Sequence, residues 1–292
     1  MPEPLLKINK LAIIGVGLIG GSLAIALRNA GVTQHIVGCG RSEANLKRGV
    51  ELGVIDSYSV NVAEAIKDAD MIFVAVPLGA MRKVFEQLKG HLAENAIVTD
   101  GGSSKASVIA DWLAVFGNED HLVAGHPIAG TENSGVEAAL PDLYRNRRII
   151  LTPTEATDDT KVDIVQRMWE ACGAEVSLMD VQHHDQVLAA TSHLPHVIAF
   201  GLVETLARLD EHTEIFKYAA GGFRDFSRIA SSNPEMWRDI CLNNADALTD
   251  VLGKYIGDLQ ALAQMIQGRD GEQLLEIFQI AKKARDDYVD GL

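Results

Sequence analysis

Leu11-Ala12-Ile13-Ile14-Gly15-Val16-Gly17-Leu18-Ile19-Gly20-Gly21-Ser22 is the stretch on which the reading of this chain turns. A short apolar run enters a G-x-G-x-x-G turn, and the residues after it have helical spacing. In such a strand–turn–helix unit the first glycine permits the tight turn and the second lets the backbone approach a pyrophosphate. The third lets the helix pack closely on the strand. Phosphates then sit over the helix N-terminus, where unpaired N–H groups and the helix dipole favour negative charge. The stretch therefore predicts dinucleotide binding, with Gly15, Gly17, Leu18, Ile19 and Gly20 as contact residues. A glycine turn of purely structural use is the bland alternative; the flanking strand and helix argue against it.

Outward from this turn, β-type runs at 35–39, 71–76, 96–99, 122–124, 148–151 and 175–179 alternate with helical segments. Those segments lie at 18–30, 43–52, 81–89, 105–116 and 160–171. Such alternation predicts a Rossmann-type, doubly wound, mostly parallel sheet. Residues 71–76 are apolar throughout, as a strand covered on both faces must be. From Val181 the β-type runs stop and helical periodicity continues to the end. The expected organisation is a nucleotide-binding domain over 1–180 and an all-helical substrate and dimerisation domain over 181–292. Pro195 predicts a kink, and Asn233-Pro234 reads as the N-cap and first residue of a new helix. Within that helix Ala245, Leu248, Leu252, Tyr255, Leu259, Leu262 and Ile266 recur at alternating steps of three and four. This is a helix–helix packing seam, within one chain or between two copies of a homodimer.

A net charge of −14 over 292 residues opposes nucleic acid and anionic membrane as partners. An anionic substrate would then need a local basic site, so individual arginines matter. Cys39, Cys172 and Cys241 are isolated, with neither CxxC spacing nor an even-numbered framework, and read as reduced cytosolic thiols. The N-terminus lacks a basic region followed by an apolar run, and no apolar stretch reaches the ~20 residues that span a bilayer. A cytoplasmic protein with no membrane association is expected.

After the second strand come Gly40, Arg41 and Ser42, and no acidic residue lies between Gly20 and Arg41. NAD-preferring enzymes usually carry one about 20 residues beyond the glycines, to accept from the ribose 2′-hydroxyl. Arg41 and Ser42 suit a 2′-phosphate, so NADP is expected ahead of NAD, although Arg41 stacking on adenine or pointing into water stays open.

The chemistry concentrates in Gly125-His126-Pro127-Ile128-Ala129-Gly130-Thr131-Glu132, directly after the 122–124 run. The position puts one imidazole at the carboxyl edge of the sheet, where ligands bind. With an ordinary pKa near 6.5 it can serve as a general base beside a nicotinamide that takes a hydride. Asp100-Gly-Gly-Ser103-Ser104-Lys105 follows another strand. One serine is expected to cap the next helix, and a hydroxyl there could also bond a substrate oxygen. His193-Leu-Pro-His196 offers two more imidazoles, with no third ligand at metal-binding spacing, so no metal is expected. Gly221-Gly-Phe-Arg224-Asp-Phe-Ser-Arg228 supplies arginines able to grip a carboxylate bidentately, and Trp237 reads as a packing residue.

The motifs GVGLIGGS, DGGSSK, GHPIAGTENSG, HLPH and GGFRDFSRIASSNPEMW, in this order, resemble the prephenate/arogenate dehydrogenases of tyrosine biosynthesis. The resemblance covers nearly the whole chain. It implies a nucleotide-binding domain followed by a helical dimerisation domain, and oxidative decarboxylation of prephenate, or of arogenate, with NADP or NAD. By the same resemblance His126 bonds the ring hydroxyl, Ser103 assists it, and Arg228 holds a substrate carboxylate. His196 lies near the substrate side chain, and Thr131 and Glu132 line the pocket rim. No fused chorismate mutase or regulatory domain is expected. Two rivals remain at this point. A hydroxyacid dehydrogenase with a helical second domain would need a lysine where Val181 to Phe216 has none, and a non-catalytic nucleotide sensor would not need His126, Ser103 and Arg228 together.

Overall fold

A computed structural model describes residues 6–131, 133–209 and 212–290. Six strands form one parallel sheet in the order β3-β2-β1-β4-β5-β6. They are β1 (Ile8–Ile14), β2 (Thr33–Cys39), β3 (Ser57–Ser59), β4 (Met71–Val74), β5 (Ile97–Asp100) and β6 (Leu122–Val123). The helices between them are α1 (Leu18–Asn29), α2 (Glu43–Glu51), α3 (Val62–Ile66), α4 (Met81–Leu88) and α5 (Ala106–Phe116). Strand order reverses between β1 and β4, which opens a crevice at the carboxyl ends of the strands, beside the glycine turn.

The apolar strands are explained by burial on two faces. Leu11, Ile13, Met71 and Phe73 point into one core with Leu23, Leu27 and Trp169. Ala12, Ile14, Ile72 and Val74 point into the other with Phe85 and Trp112. Successive side chains of one strand thus feed opposite layers, and no position is left for a polar residue.

The expected single sheet is in fact two. Runs 148–151 and 175–179 form β8 (Arg148–Leu151) and β9 (Glu175–Leu178), joined by β7 (Gly125–Pro127) in a separate three-stranded sheet. β7 pairs antiparallel with β8, β8 parallel with β9, and α6 (Asp159–Ala171) connects those two. The chain leaves the main sheet at Gly125, where a Cβ would lie 3.0 Å from the Leu151 side chain and 3.4 Å from the Asp100 carbonyl. A Gly-His-Pro strand has no alternation to announce it, so β7 was invisible to periodicity.

From Val181 the chain is helical: α7 (Val181–Leu188), a π-helical turn (Ala189–His193), α8 (Leu194–Ala207), α9 (His212–Lys217), α10 (Gly221–Ser227) and α11 (Pro234–Asn243). α12 (Ala245–Gly268) and α13 (Gly271–Asp290) follow. The kink expected at Pro195 takes the form of the wide turn just before it, which accommodates the missing N–H and the ring without ending the helix. The run Val181–Ala207 is long and apolar enough, at mean hydropathy 1.3, to cross a membrane by length and composition. It nevertheless carries His184, Asp185 and His193, all buried in a hydrogen-bonded network. Asn233 caps α11 by accepting from Met236 N at 2.9 Å, as expected. The helix expected to run on unbroken ends at Asn244, whose side chain turns inward to the Asp185 carbonyl.

By compactness the chain divides after Ala245. The first unit holds both sheets and helices α1 to α11; within it Trp237 and Ile240 of α11 belong to the core that covers one face of the main sheet. The second, from Asp246, is α12 and α13, with Asp270 capping α13 by accepting from Gln273 N. Leu259, Ile266, Leu275, Phe278 and Ile280 on these two helices are 45–63% exposed.

Candidate active site

The glycine turn has the geometry its sequence implies. Gly15 adopts φ +102°, and a Cβ there would lie 2.2 Å from the Ala75 carbonyl oxygen. A Cβ at Gly20 would lie 2.2 Å from the Gly15 carbonyl oxygen, whereas at Gly17 it would meet nothing within 4 Å. Two glycines are therefore forced by packing, and the middle one keeps an open approach. Among the described residues no side chain caps α1 at Gly17, so its first N–H groups face that approach. Asn45 braces the turn from α2, donating to the Val16 carbonyl at 2.7 Å and accepting from Val136 N at 3.0 Å. These residues fit a dinucleotide pyrophosphate.

Arg41 is exposed at the end of β2, and Ser42 caps α2 by accepting from Asn45 N at 3.3 Å. Glu43, the first acidic residue beyond the turn, is occupied by Tyr58 at 3.1 Å and Lys47 at 3.2 Å.

At the carboxyl end of β5 a buried ion pair ties three elements together. Lys105 Nζ donates to Asp100 Oδ2 at 2.5 Å and to the Gly125 carbonyl at 2.6 Å. Asp100 also accepts from Gly102 N at 2.8 Å and Gly125 N at 3.1 Å. Asp100 and Lys105 are fully buried. Such a pair costs desolvation, and removing one partner would strand the other charge. What it secures is the backbone of Gly125, and hence the position of His126. Burial pulls the Lys105 ammonium below the usual lysine range, with Asp100 opposing.

His126 Nδ1 lies 2.9 Å from His184 Nε2, and His184 Nδ1 lies 2.8 Å from Asp185 Oδ1. Both rings are buried and meet edge-on at 5.1 Å between centroids. Burial, reinforced by Lys105, His184 and His193, holds the His126 pKa well below the ordinary 6.5, so the imidazole is neutral at pH 7. Burial likewise pushes His193 down to about 4. Asp185 also accepts from Lys105 N, Ala106 N and Ser104 Oγ at 2.8, 3.0 and 3.1 Å. Neither serine therefore caps α5, as the sequence had suggested; Asp185 does so from α7. Ser104 is buried in this contact, whereas Ser103 is partly exposed and its hydroxyl makes no hydrogen bond among the described residues.

The HLPH motif forms the next wall. His196 stacks on Trp237 with centroids 3.5 Å apart, and His193 meets the same indole edge-on at 6.2 Å. Trp237 is thus more than filling, and its buried Nε1 has no hydrogen-bond partner among the described residues. His196 Nδ1 donates to the Ser192 carbonyl at 2.9 Å, and burial lowers its pKa, with Arg228 adding to the effect. In its neutral form His196 therefore offers an acceptor at Nε2. Asn244 donates to the Asp185 carbonyl at 2.8 Å, and its other amide N–H reaches His193 Nδ1 at 3.1 Å, leaving His193 Nε2 as the donor. Arg228 is exposed at the end of α10, and Thr131 is exposed on the loop after β7, its hydroxyl accepting from Asn133 N. Glu132 lies outside the described residues.

His193, Trp237 and His196 are thus in ring contact, with His126 near enough to feel His193 and Arg228 near enough to act on His196 electrostatically. The sequence singles out all five, His193 as one of the two HLPH imidazoles and Trp237 only as a packing residue. Sequence reasoning missed Lys105, His184, Asp185 and Asn244, whose only linear signal was a charged or polar residue inside an otherwise apolar helical pattern. Gly101, next to Asp100, lies against the nucleotide turn: a Cβ there would lie 3.3 Å from the Ile19 side chain.

Comparison with known proteins places this architecture. The chain is 39% identical over 277 residues to a cyclohexadienyl dehydrogenase of Zymomonas mobilis, covering 94% of each. It is 34% identical to a prephenate dehydrogenase of Bacillus subtilis, covering 97% of this chain and 76% of that one. Among solved structures, a prephenate dehydrogenase from A. aeolicus in complex with hydroxyphenyl propionate and NAD+ superposes with TM-score 0.91 at 37% identity, covering 98% of this chain and 100% of that one. Residues 23–178 match the family described as prephenate dehydrogenase, nucleotide-binding domain, and residues 180–280 match its dimerization domain. With both halves matched in order, and the glycine turn and the buried histidine on the elements described above, the chain belongs to the prephenate dehydrogenase family.

Proposed function

We propose that this chain oxidises and decarboxylates prephenate to 4-hydroxyphenylpyruvate in tyrosine biosynthesis, with His126 as general base. The observation that carries the reading is the neutral, buried His126 beside a nucleotide-binding turn, with Arg228 at the far end of the same wall. A nicotinamide cofactor bound over Gly17 would supply the hydride acceptor. His126 draws off the proton of the ring hydroxyl as the carbon bearing it loses hydride and becomes a carbonyl. The bond to the ring carboxylate then breaks, its electron pair enters the ring, and carbon dioxide leaves from what becomes an aromatic product. The proton held on His126 returns to the phenolate oxygen. Much of the driving force lies in the substrate; the protein supplies orientation, a base and charge neutralisation.

Ser103, with its hydroxyl uncommitted, assists at the ring oxygen. Arg228 pairs with a substrate carboxylate, and His196, Thr131 and Glu132 border the side-chain end. Arg41 and Ser42 support acceptance of NADP besides NAD, since Glu43 is already engaged elsewhere. Arogenate is a second substrate on one specific ground: the acceptor that neutral His196 presents suits an ammonium. The exposed apolar residues of α12 and α13, in the segment matched to a dimerization domain, support a homodimer. The functional division falls near residue 180, where the two family matches meet, although compactness divides the chain after Ala245. Three free cysteines and the acidic surface fit the cytoplasm.

The test is to supply prephenate with NAD or NADP, and arogenate likewise, and follow reduced nicotinamide together with released carbon dioxide. Reduction with prephenate at equal or greater kcat/KM than with arogenate is the expected result. A tenfold preference for arogenate overturns the substrate order, and no reduction with either overturns the activity.

A further inference from the structure

We propose that Asp185 and His184 form a relay that sets the proton positions on His126, leaving its Nε2 lone pair toward the substrate and dispersing the charge it gains. This rests on the reading of His126 as the base and adds two positioning residues that touch no substrate.

The argument starts at Asp185. Its Oδ1 accepts from Lys105 N and faces His184 Nδ1, and its Oδ2 accepts from Ala106 N and Ser104 Oγ. Two of these donors are the first backbone N–H groups of α5, which together with the helix dipole favour a carboxylate over a carboxylic acid. Burial opposes ionisation here, but the His184 hydrogen bond and the two backbone bonds prevail and hold the pKa below the usual range. An ionised carboxylate only accepts, so His184 Nδ1 carries a proton. With that single ring proton His184 keeps a lone pair at Nε2, and the 2.9 Å contact is then donated by His126 Nδ1–H. The remaining nitrogen of His126, Nε2, is bare. The proton positions thus follow in order from the Asp185 carboxylate through a singly protonated His184.

The second consequence is electrostatic. When His126 accepts a proton, the groups facing it are the Lys105 ammonium from α5, His193 from the π-helical turn and His184 from α7. Lys105 is paired with Asp100, and His193 is neutral, tied to Asn244. The imidazolium Nδ1–H then points at His184, which backs onto the Asp185 carboxylate. Without the intervening ring the new cation would meet Lys105 with no facing anion of its own.

Two substitutions separate a relay from a space-filling role. His184→Phe keeps the aromatic bulk and removes both nitrogens. His184→Gln keeps a donor for Asp185 and an acceptor for His126. In wild type, ¹⁵N chemical shifts of labelled histidine should show His126 protonated at Nδ1 and bare at Nε2. His184→Phe should shift His126 to a mixture of tautomers and lower kcat on the order of 100-fold, the lower end of the range for a mispresented base. It should also move the acid limb of the kcat/KM profile while the nucleotide Kd holds. His184→Gln should recover turnover to within about tenfold of wild type with the original tautomer. A wild-type proton on Nε2, or His184→Gln as impaired as His184→Phe, overturns the relay. His126→Asn distinguishes the two levels. If it is inactive while His184→Phe turns over within threefold of wild type, the relay falls and the base stands. If His126→Asn itself stays active, the base reading falls and the relay with it.

Discussion

The floor beneath His126 and the segment that carries Arg228, joined in one site by the proposed function, are built on opposite principles. In the floor, Asp100, Lys105 and His184 are fully buried, and the carboxylates of Asp100 and Asp185 are each held by several donors. α10 has no buried residue and no side-chain cap at Ala220, and the segment exposes Arg224, Asp225, Phe226 and, just past the helix, Arg228. Gly221 and Gly222 open it, although a Cβ at either would meet nothing within 4 Å, so they lower local stability without a packing need. A proton must be handled by groups fixed before the substrate arrives, because reorienting dipoles during the reaction costs barrier height. A carboxylate can be captured by an exposed guanidinium that becomes ordered as the substrate covers it. On the proposed function, the catalytic half is pre-organised and the binding half would be completed by its ligand.

The largest test of that contrast is His126→Asn, which removes the base and spares the scaffold. Turnover should fall by roughly 10²–10⁴ with nucleotide affinity nearly unchanged. Turnover within threefold of wild type would dissolve the distinction.

A buried floor of neutral imidazoles should also make itself felt in acid. His193 has its folded pKa at about 4 against an ordinary 6.5, so between those values the unfolded chain binds more protons than the folded one. Its contribution to stability is therefore present above about pH 6.5 and lost as pH falls towards 4, amounting to about 3 kcal/mol at full extent. Urea midpoints measured between pH 7.5 and 4.5 should fall steadily, and His193→Asn should flatten the decline. A midpoint indifferent to pH over this window would mean the rings are not held neutral.

Arg228→Ala probes the other half. The substrate KM should rise about 30-fold or more, equivalent to roughly 2 kcal/mol, with the nucleotide KM and thermal stability unmoved. If the KM of both ligands rises together, or the protein is destabilised, Arg228 is part of a pre-built structure and the comparison fails on that side. Arg41→Ala is the smallest effect, because the side chain is exposed. NADP should weaken by about tenfold and NAD by less, since only NADP carries the 2′-phosphate. Equal losses would show that Arg41 does not read that position.

The linear sequence was most informative where the backbone itself does the work. The glycine turn is legible because crowding by the Ala75 and Gly15 carbonyls forbids any Cβ at Gly15 and Gly20, and Gly17 must stay open. Alternation of strands and helices was likewise legible through apolar periodicity, as was the cap at Asn233. His126 and Arg228 stood out because each lies in a dense local motif. The split of the sheet did not, because β7 is only a Gly-His-Pro tripeptide and its departure is decided by Leu151 and Asp100. Nor did the partners of His126: Lys105, His184 and Asp185 read as ordinary polar residues of helices. Asp185 caps a helix 80 residues upstream, a place where the sequence offers two serines with equal claim. What the sequence determined by itself was the nucleotide turn, the elements and the two residues that announce the chemistry. Which nitrogen of His126 is free, and which charge supports it, was decided only in three dimensions, because hydrogen-bond partners are chosen by distance in space and leave no periodic trace along the chain.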